Sequence, residues 1–181
     1  IDAVENLMDG KRGNMAFTSP PYNAGKSEAI SGNTHSGDNK YNEYKDDKTQ
    51  SEYLELLIGF TNAWMPAVEF MAVNLQQVAG NKTSFVDYMG AYKDNLIDVC
   101  IYAEQIKEIA IWDKGHAAPA MAKNVLSSTF EYILLITGKR NPTRAIPGAN
   151  FRGTISNVYN GPPNRNNEFS KVHAATFPVG F

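Results

Sequence analysis

Tyr53-Leu54-Glu55-Leu56-Leu57-Ile58-Gly59-Phe60-Thr61-Asn62-Ala63-Trp64, then Met65-Pro66, then Ala67-Val68-Glu69-Phe70-Met71-Ala72-Val73-Asn74-Leu75, sets two periodicities back to back. In the first stretch Tyr53, Leu57, Phe60 and Trp64, with Leu54 and Ile58 beside them, recur at three and four, which predicts a helix with one apolar face. Pro66 closes it, because proline removes an N–H and clashes with the preceding turn. The second stretch is short and nearly continuous in apolar residues, which predicts a buried strand over 67–75.

The same alternation continues on both sides. Towards the C-terminus, Gly80-Asn81-Lys82 reads as a turn and Thr83 or Ser84 as the cap of a second long helix. That helix carries Phe85, Met89, Tyr92, Leu96, Val99 and Ala103 at helical spacing. Glu108–Trp112 reads as a strand, and Phe130–Thr137 as the clearest strand in the chain, ended by Gly138. Towards the N-terminus, residues 2–9 read as a short helix with Asp2 as cap, and Ala16–Ser19 as a short buried strand. Between them and the central helix, residues 23–50 form a long polar loop of the kind used as a lid or binding loop. Strands alternating with amphipathic helices predict an α/β layered sheet with flanking helices.

At the mouth of the first strand stands Thr18-Ser19-Pro20-Pro21-Tyr22. The prolines fix φ and donate no N–H, which leaves nearby carbonyls able to accept. A hydroxyl, a carbonyl and an upright ring on such a rigid loop suit a planar base bearing an exocyclic amino group. The base's amino hydrogens can be accepted while the ring stacks. A plain proline-punctuated turn is the competing reading.

Charge is divided unevenly. The net charge is −2, yet residues 139–181 hold Lys139, Arg140, Arg144, Arg152, Arg165 and Lys171 against Glu168 alone. An acidic body with a basic, Asn/Gly/Pro-rich segment is a footprint for phosphate contacts, and a solvated loop explains it equally well. The single cysteine, Cys100, excludes an internal disulfide and a cysteine-based zinc cluster, and its apolar setting predicts a small buried hydrophobe. His35, His116 and His173 lie too far apart in sequence to argue for a metal site. No apolar run is long enough for a membrane span and no signal peptide is evident, so an intracellular protein is expected. The chain does not begin with Met, which leaves a trimmed leader open.

Several stretches together resemble a family. Thr18-Ser19-Pro20-Pro21-Tyr22-Asn23 resembles the (Asp/Asn/Ser)-Pro-Pro-Tyr catalytic motif of DNA amino-methyltransferases, in the group whose catalytic motif precedes its cofactor motif. Tyr44-Lys45-Asp46-Asp47 with Glu52-Tyr53-Leu54 resembles the family's lead into its next helix. Ile109–Gly115 resembles its Trp-x-Lys strand end, and Phe130–Leu135 with Lys139 its later Tyr-Glu-hydrophobic strand. His173-Ala174-Ala175-Thr176-Phe177-Pro178 resembles the run that introduces the cofactor pocket, with Ala174 where the family usually shows proline.

The resemblance implies a partial Rossmann-like methyltransferase sheet and methyl transfer from S-adenosylmethionine to the N4 of a flipped cytosine or the N6 of a flipped adenine. Ser19 in place of Asp leans towards cytosine. It implies a catalytic half over 1–138, an irregular basic target-recognition segment over 139–172, and a lead-in to a cofactor-binding half over 173–181. Ser19, Pro20, Pro21 and Tyr22 take the catalytic places, Ser19 Oγ and the Pro20 carbonyl accepting the amino hydrogens and Tyr22 stacking on the base. Thr18, Asn23, His173, Phe177 and Pro178 fall at the cofactor. Lys139, Arg140, Arg144, Arg152, Arg165 and Lys171 fall where double-stranded DNA would be touched. Trp112 reads as a core aromatic, Asp113 and Lys114 as a solvated strand end, and Glu131 as a residue paired with a neighbour. The setting implied is a cytoplasmic restriction-modification or phage enzyme.

One departure limits the activity expected of this chain. The family's Gly-x-Gly cofactor loop is absent, since no two glycines here are separated by one residue. A fragment of a longer enzyme and one half of a split enzyme with a second chain both fit. In either case the chain alone is expected to bind the cofactor weakly, and to leave an exposed sheet edge and apolar face. The competing functions are an RNA or protein amino-methyltransferase, and a catalytically silent module that binds DNA or a partner.

Overall fold

The computed structural model describes residues 2–23, 46–91, 105–115, 126–137 and 156–162. Among these, helix α1 (Asp2–Met8) leads into strand β1 (Gly13–Thr18). Helix α2 (Gln50–Trp64) and a 3₁₀ turn (Met65–Ala67) deliver the chain to strand β2 (Val68–Leu75). Helix α3 (Lys82–Gly90), strand β3 (Gln105–Asp113), strand β4 (Phe130–Thr137) and strand β5 (Val158–Asn160) complete the order.

The strands form one mixed sheet in the order β1-β2-β4-β3-β5. β1 and β2 are parallel, β4 is antiparallel to both β2 and β3, and β5 is parallel to β3. The C-terminal ends of β1, β2 and β3 and the first residues of β4 therefore meet at one end of the sheet. That end carries the candidate site.

β2 lies inside the sheet, and Met71, Ala72, Val73, Asn74 and Leu75 are all buried, which is why its sequence does not alternate. Met71, Val73 and Leu75 with Leu134 and Ile136 pack against Tyr53 and Leu57 of α2 and Phe85 and Tyr88 of α3. The opposite face carries a smaller cluster of Ala72, Trp112 and Ile133, with Tyr159 of β5 against it. Trp112 is thus a core aromatic, as its setting predicts.

α2 opens on a reciprocal cap: the Thr49 side chain accepts from the Glu52 N–H while Glu52 accepts from the Thr49 N–H. Its buried stripe is Tyr53, Leu57 and Thr61, set four apart. Phe60 and Trp64, expected at the centre of the face, sit half-buried on its flank. Thr61 is tolerated at the centre because its hydroxyl donates to the Leu57 carbonyl at 2.8 Å and meets the Tyr88 hydroxyl at 2.6 Å.

Three expectations are corrected. β1 is longer than Ala16–Ser19 and is not buried: Met15 and Phe17 are exposed, at 59% and 38%. Among the described residues β1 pairs with β2 alone, so Ala16 reaches the main core while Met15 and Phe17 project from the less covered face. α3 begins at Lys82 rather than after Thr83 or Ser84, with Asn81 in the cap position. The side chain of Asn81 is engaged elsewhere, and the Ser84 N–H is satisfied instead by Gln50 Oε1 of α2 at 2.9 Å. The continuation of α3 through Tyr92, Leu96, Val99 and Ala103 lies outside the described residues, as does Cys100. Finally, the segment 139–172 holds regular structure in β5, which extends the sheet; Trp112 Nε1 donates to the Gly161 carbonyl at 2.8 Å beside it. No helix among the described residues is long and apolar enough to cross a membrane.

Candidate active site at one end of the sheet

Thr18 ends β1, and Ser19 to Asn23 form the loop over the ends of β1 and β2. Ser19 is exposed and Pro20 is buried. The prolines hold the loop open, and side chains from two other elements pin its second half. The Tyr53 hydroxyl of α2 donates to the Pro21 carbonyl at 2.6 Å, and Asn81 Nδ2 donates to the Tyr22 carbonyl at 2.8 Å. The Pro20 carbonyl accepts no hydrogen bond from the described residues. Ser19 Oγ lies at the exposed start of the loop and the buried Pro20 follows it; their two oxygens are the acceptors expected from sequence for an amino group.

Asn23 is buried and left-handed, with φ 56°, a conformation that asparagine tolerates better than most residues. Its Nδ2 donates to the carbonyls of Lys48 and Gly80 at 2.7 and 2.8 Å, and its Oδ1 accepts from the Lys48 N–H at 2.7 Å. Its own N–H donates to Asp46 Oδ1 at 2.8 Å. The side chain thus ties the far end of the long polar loop to the start of α2 and to the turn before α3. Both amide hydrogens are engaged by main chain.

Tyr22 turns its hydroxyl into the sheet rather than out of it. The phenol oxygen lies 2.7 Å from Asn74 Oδ1 at the end of β2, 2.7 Å from Glu131 Oε2 at the start of β4, and 3.1 Å from Ser19 Oγ. The other carboxylate oxygen of Glu131 accepts from Lys114 Nζ at 2.9 Å. The amide of Asn74 is oriented by its Nδ2, which donates to the Tyr132 carbonyl at 3.2 Å. Burial, and then the charge of Glu131, push the Tyr22 phenol well above its ordinary pKa, so it stays a neutral donor.

Glu131 is paired with a neighbour, as its setting predicts. Lys114, expected on a solvated strand end, is not solvated: its side chain is 14% exposed because Glu131 draws it inward. Asp113 beside it accepts from the Gly115 N–H at 2.8 Å. Asn74, Lys114, Tyr53 and Asn81 carry no site role in the sequence reading. A polar residue in an otherwise apolar strand, as at Asn74 and Glu131, was the available signal. Thr18, Ser19, Pro20, Pro21, Tyr22 and Asn23 are brought together. His173, Phe177, Pro178 and the basic residues Lys139, Arg140, Arg144, Arg152, Arg165 and Lys171 lie outside the described residues.

The geometry is that of an open sheet whose site lies at the carboxyl ends of its parallel strands. Among solved structures the chain is similar to the PvuII DNA methyltransferase (cytosine-N4-specific), with a TM-score of 0.60 at 12% identity over 94% of this chain and 60% of that one. It is also similar to M1.HpyAVI in its complex with SAM, with a TM-score of 0.46 at 13% identity over 98% of this chain and 75% of that one. The chain thus spans 60% of the length of the PvuII enzyme, with which it shares a fold. None of the curated proteins matches it in sequence. The family model for N6 and N4 methyltransferases, described as DNA methylase, matches residues 14–180. With nearly its whole length matched, the chain belongs to the N6/N4 family of DNA methylases.

Proposed function

We propose that this chain is the base-holding part of an S-adenosylmethionine-dependent DNA amino-methyltransferase. The observation that carries the reading is exposed Ser19 Oγ at the head of a pinned loop, followed directly by the Pro20 carbonyl, which accepts no hydrogen bond from the described residues. An exocyclic amino group is a poor nucleophile because its lone pair is delocalised into the ring. Accepting its hydrogens in fixed directions localises that pair and aims it at the methyl carbon; this is positioning with electrostatic stabilisation, and no covalent enzyme intermediate is needed. The base reaches such a loop only when swung out of the duplex. The Tyr22 ring, held by its hydroxyl, forms part of the wall on which the base stacks.

When bound, S-adenosylmethionine supplies an electrophilic methyl on a sulfonium. The described site fits a cation there: Ser19 and Pro20 offer neutral oxygens, and Lys114 is neutralised by Glu131. Thr18 stands on the same strand end, and Asn23 contributes by holding the loop. His173, Phe177 and Pro178 complete the proposal at the cofactor, and the six basic residues of 139–171 contact DNA phosphates and base edges. The cofactor-binding half, in a longer chain or a second one, joins at the outer edge of β1. Ser19 in the acceptor place we take to favour cytosine N4.

The test is methyl transfer from labelled cofactor to duplex DNA by this chain together with its cofactor-binding half, with the product nucleoside identified. N4-methylcytosine is expected, and Ser19→Ala should lower kcat by about 100-fold or more. N6-methyladenine would overturn the choice of base, and full activity of Ser19→Ala would overturn the site.

A further inference from the structure

The single phenol hydrogen of Tyr22 fixes the sense of its bond to Ser19. The phenol has one hydrogen and three oxygen neighbours: Asn74 Oδ1, Glu131 Oε2 and Ser19 Oγ. Asn74 Oδ1 can only accept, and its amide cannot be turned around without setting its oxygen against the Tyr132 carbonyl. Glu131, bound to the ammonium of Lys114, is an acceptor too. The phenol hydrogen therefore goes inward to one of these two, and the phenol shows Ser19 only lone pairs. The bond between Ser19 and Tyr22 can then form in one sense alone, with Ser19 donating.

A serine hydroxyl is ordinarily ambiguous, able to donate or to accept towards whatever stands outside it. Here its one hydrogen is committed to Tyr22, and Oγ offers only lone pairs to the exposed side. From this we infer that Tyr22, Asn74, Glu131 and Lys114 are positioning residues that fix the Ser19 hydroxyl as a pure acceptor for the substrate's amino hydrogens. The chain runs from the amino group to Ser19, to Tyr22, and on to Asn74 or Glu131, with Lys114 holding Glu131 in place. It gives a neutral serine the one-way character that a carboxylate has by nature. Tyr22 thus acts through its hydroxyl as well as through its ring.

This inference rests on the amino-methyltransferase reading, and a double-mutant cycle in the complete enzyme tests the two separately. Tyr22→Phe is expected to lower kcat about 10- to 100-fold with KM for DNA and cofactor changed less than about threefold. In a Ser19→Asp background the acceptor needs no orientation, so the same Tyr22→Phe change should cost less than about threefold. An equal cost in both backgrounds means that Tyr22 serves packing alone and overturns the inference. Full activity of Ser19→Ala overturns the methyltransferase site itself, whichever way the cycle falls.

Proton NMR of the Tyr22 hydroxyl gives a second measurement, independent of turnover and of the Ser19→Asp variant. A phenol that donates inward has a hydroxyl resonance that moves on Glu131→Gln or Asn74→Asp and is nearly unchanged by Ser19→Ala. A resonance that moves only with Ser19→Ala shows the phenol donating to serine and overturns the inference.

Discussion

At Asn23 one side chain does two jobs that single substitutions can separate. Its amide makes three bonds to main chain, and its backbone holds φ 56°. Asn23→Gly removes the bonds and keeps the conformation comfortable; Asn23→Ala removes the bonds and adds left-handed strain of about 1–2 kcal/mol. Alanine should therefore lower the unfolding free energy by about 3–5 kcal/mol and glycine by about 1 kcal/mol less, measured by urea denaturation. Tyr22 makes a prediction in pH. Its folded pKa is raised, so its contribution is complete below about pH 10, the unfolded value, and declines as pH rises beyond it. Tyr22→Phe should flatten that alkaline decline by one proton in the pH dependence of stability. The Ser19–Tyr22 motif was legible because its chemistry is local, four residues on one rigid loop. Its partners were not, because Asn74 and Glu131 are 52 and 109 residues from Tyr22 and meet it only through strand order and register.

At the scale of elements, the strongest local signals gave the firmest readings. α2 combines a helical apolar face with a reciprocal cap, and β4 is an apolar run broken only by Glu131 near its start, so each is readable without its neighbours. Thr49→Ala removes the hydroxyl that accepts from the Glu52 N–H and should cost about 1 kcal/mol by thermal or urea unfolding. The Thr49 N–H, followed by its hydroxyl, holds the Glu52 carboxyl below its ordinary pKa. That contribution is present above the ordinary glutamate range and is lost as pH falls through the lowered folded value. Thr49→Ala should accordingly weaken the acid dependence of α2 as well as the helix. Met15, Ala16 and Phe17 look like a core run, but among the described residues it is Ala16 that packs against the main core while Met15 and Phe17 are exposed. β5 was missed because Val158-Tyr159-Asn160 is too short to show a period and is followed at once by Gly161 and Pro162. Its strand character comes from β3, whose edge it completes.

At the scale of the whole molecule, two asymmetries bear on the proposed contacts with DNA and with a cofactor-binding half. In sequence the basic residues of segment 139–172 follow an acidic stretch, and neutralising Arg140 and Arg144 together should lower the salt slope of DNA binding by about two units if both touch phosphate. The other asymmetry is the outer edge of β1. Its backbone faces no further strand among the described residues, and Met15 stands 59% exposed beside it. An edge that, among the described residues, has no further strand and carries an exposed apolar side chain is a template for another strand. The glycine loop that this chain lacks would follow such a strand in a sheet of this kind, beside Ser19. A lysine at position 15 tests the arrangement because it guards an edge without disturbing the core. Met15 is 59% exposed, so Met15→Lys should change the unfolding free energy of the chain by less than about 1 kcal/mol. If the cofactor-binding half docks along β1, the same change places a solvated ammonium in the joint and should weaken association with that half at least about tenfold. Methyl transfer at limiting concentrations should fall in parallel and recover at saturating ones. Unchanged association would place the joint elsewhere on the molecule.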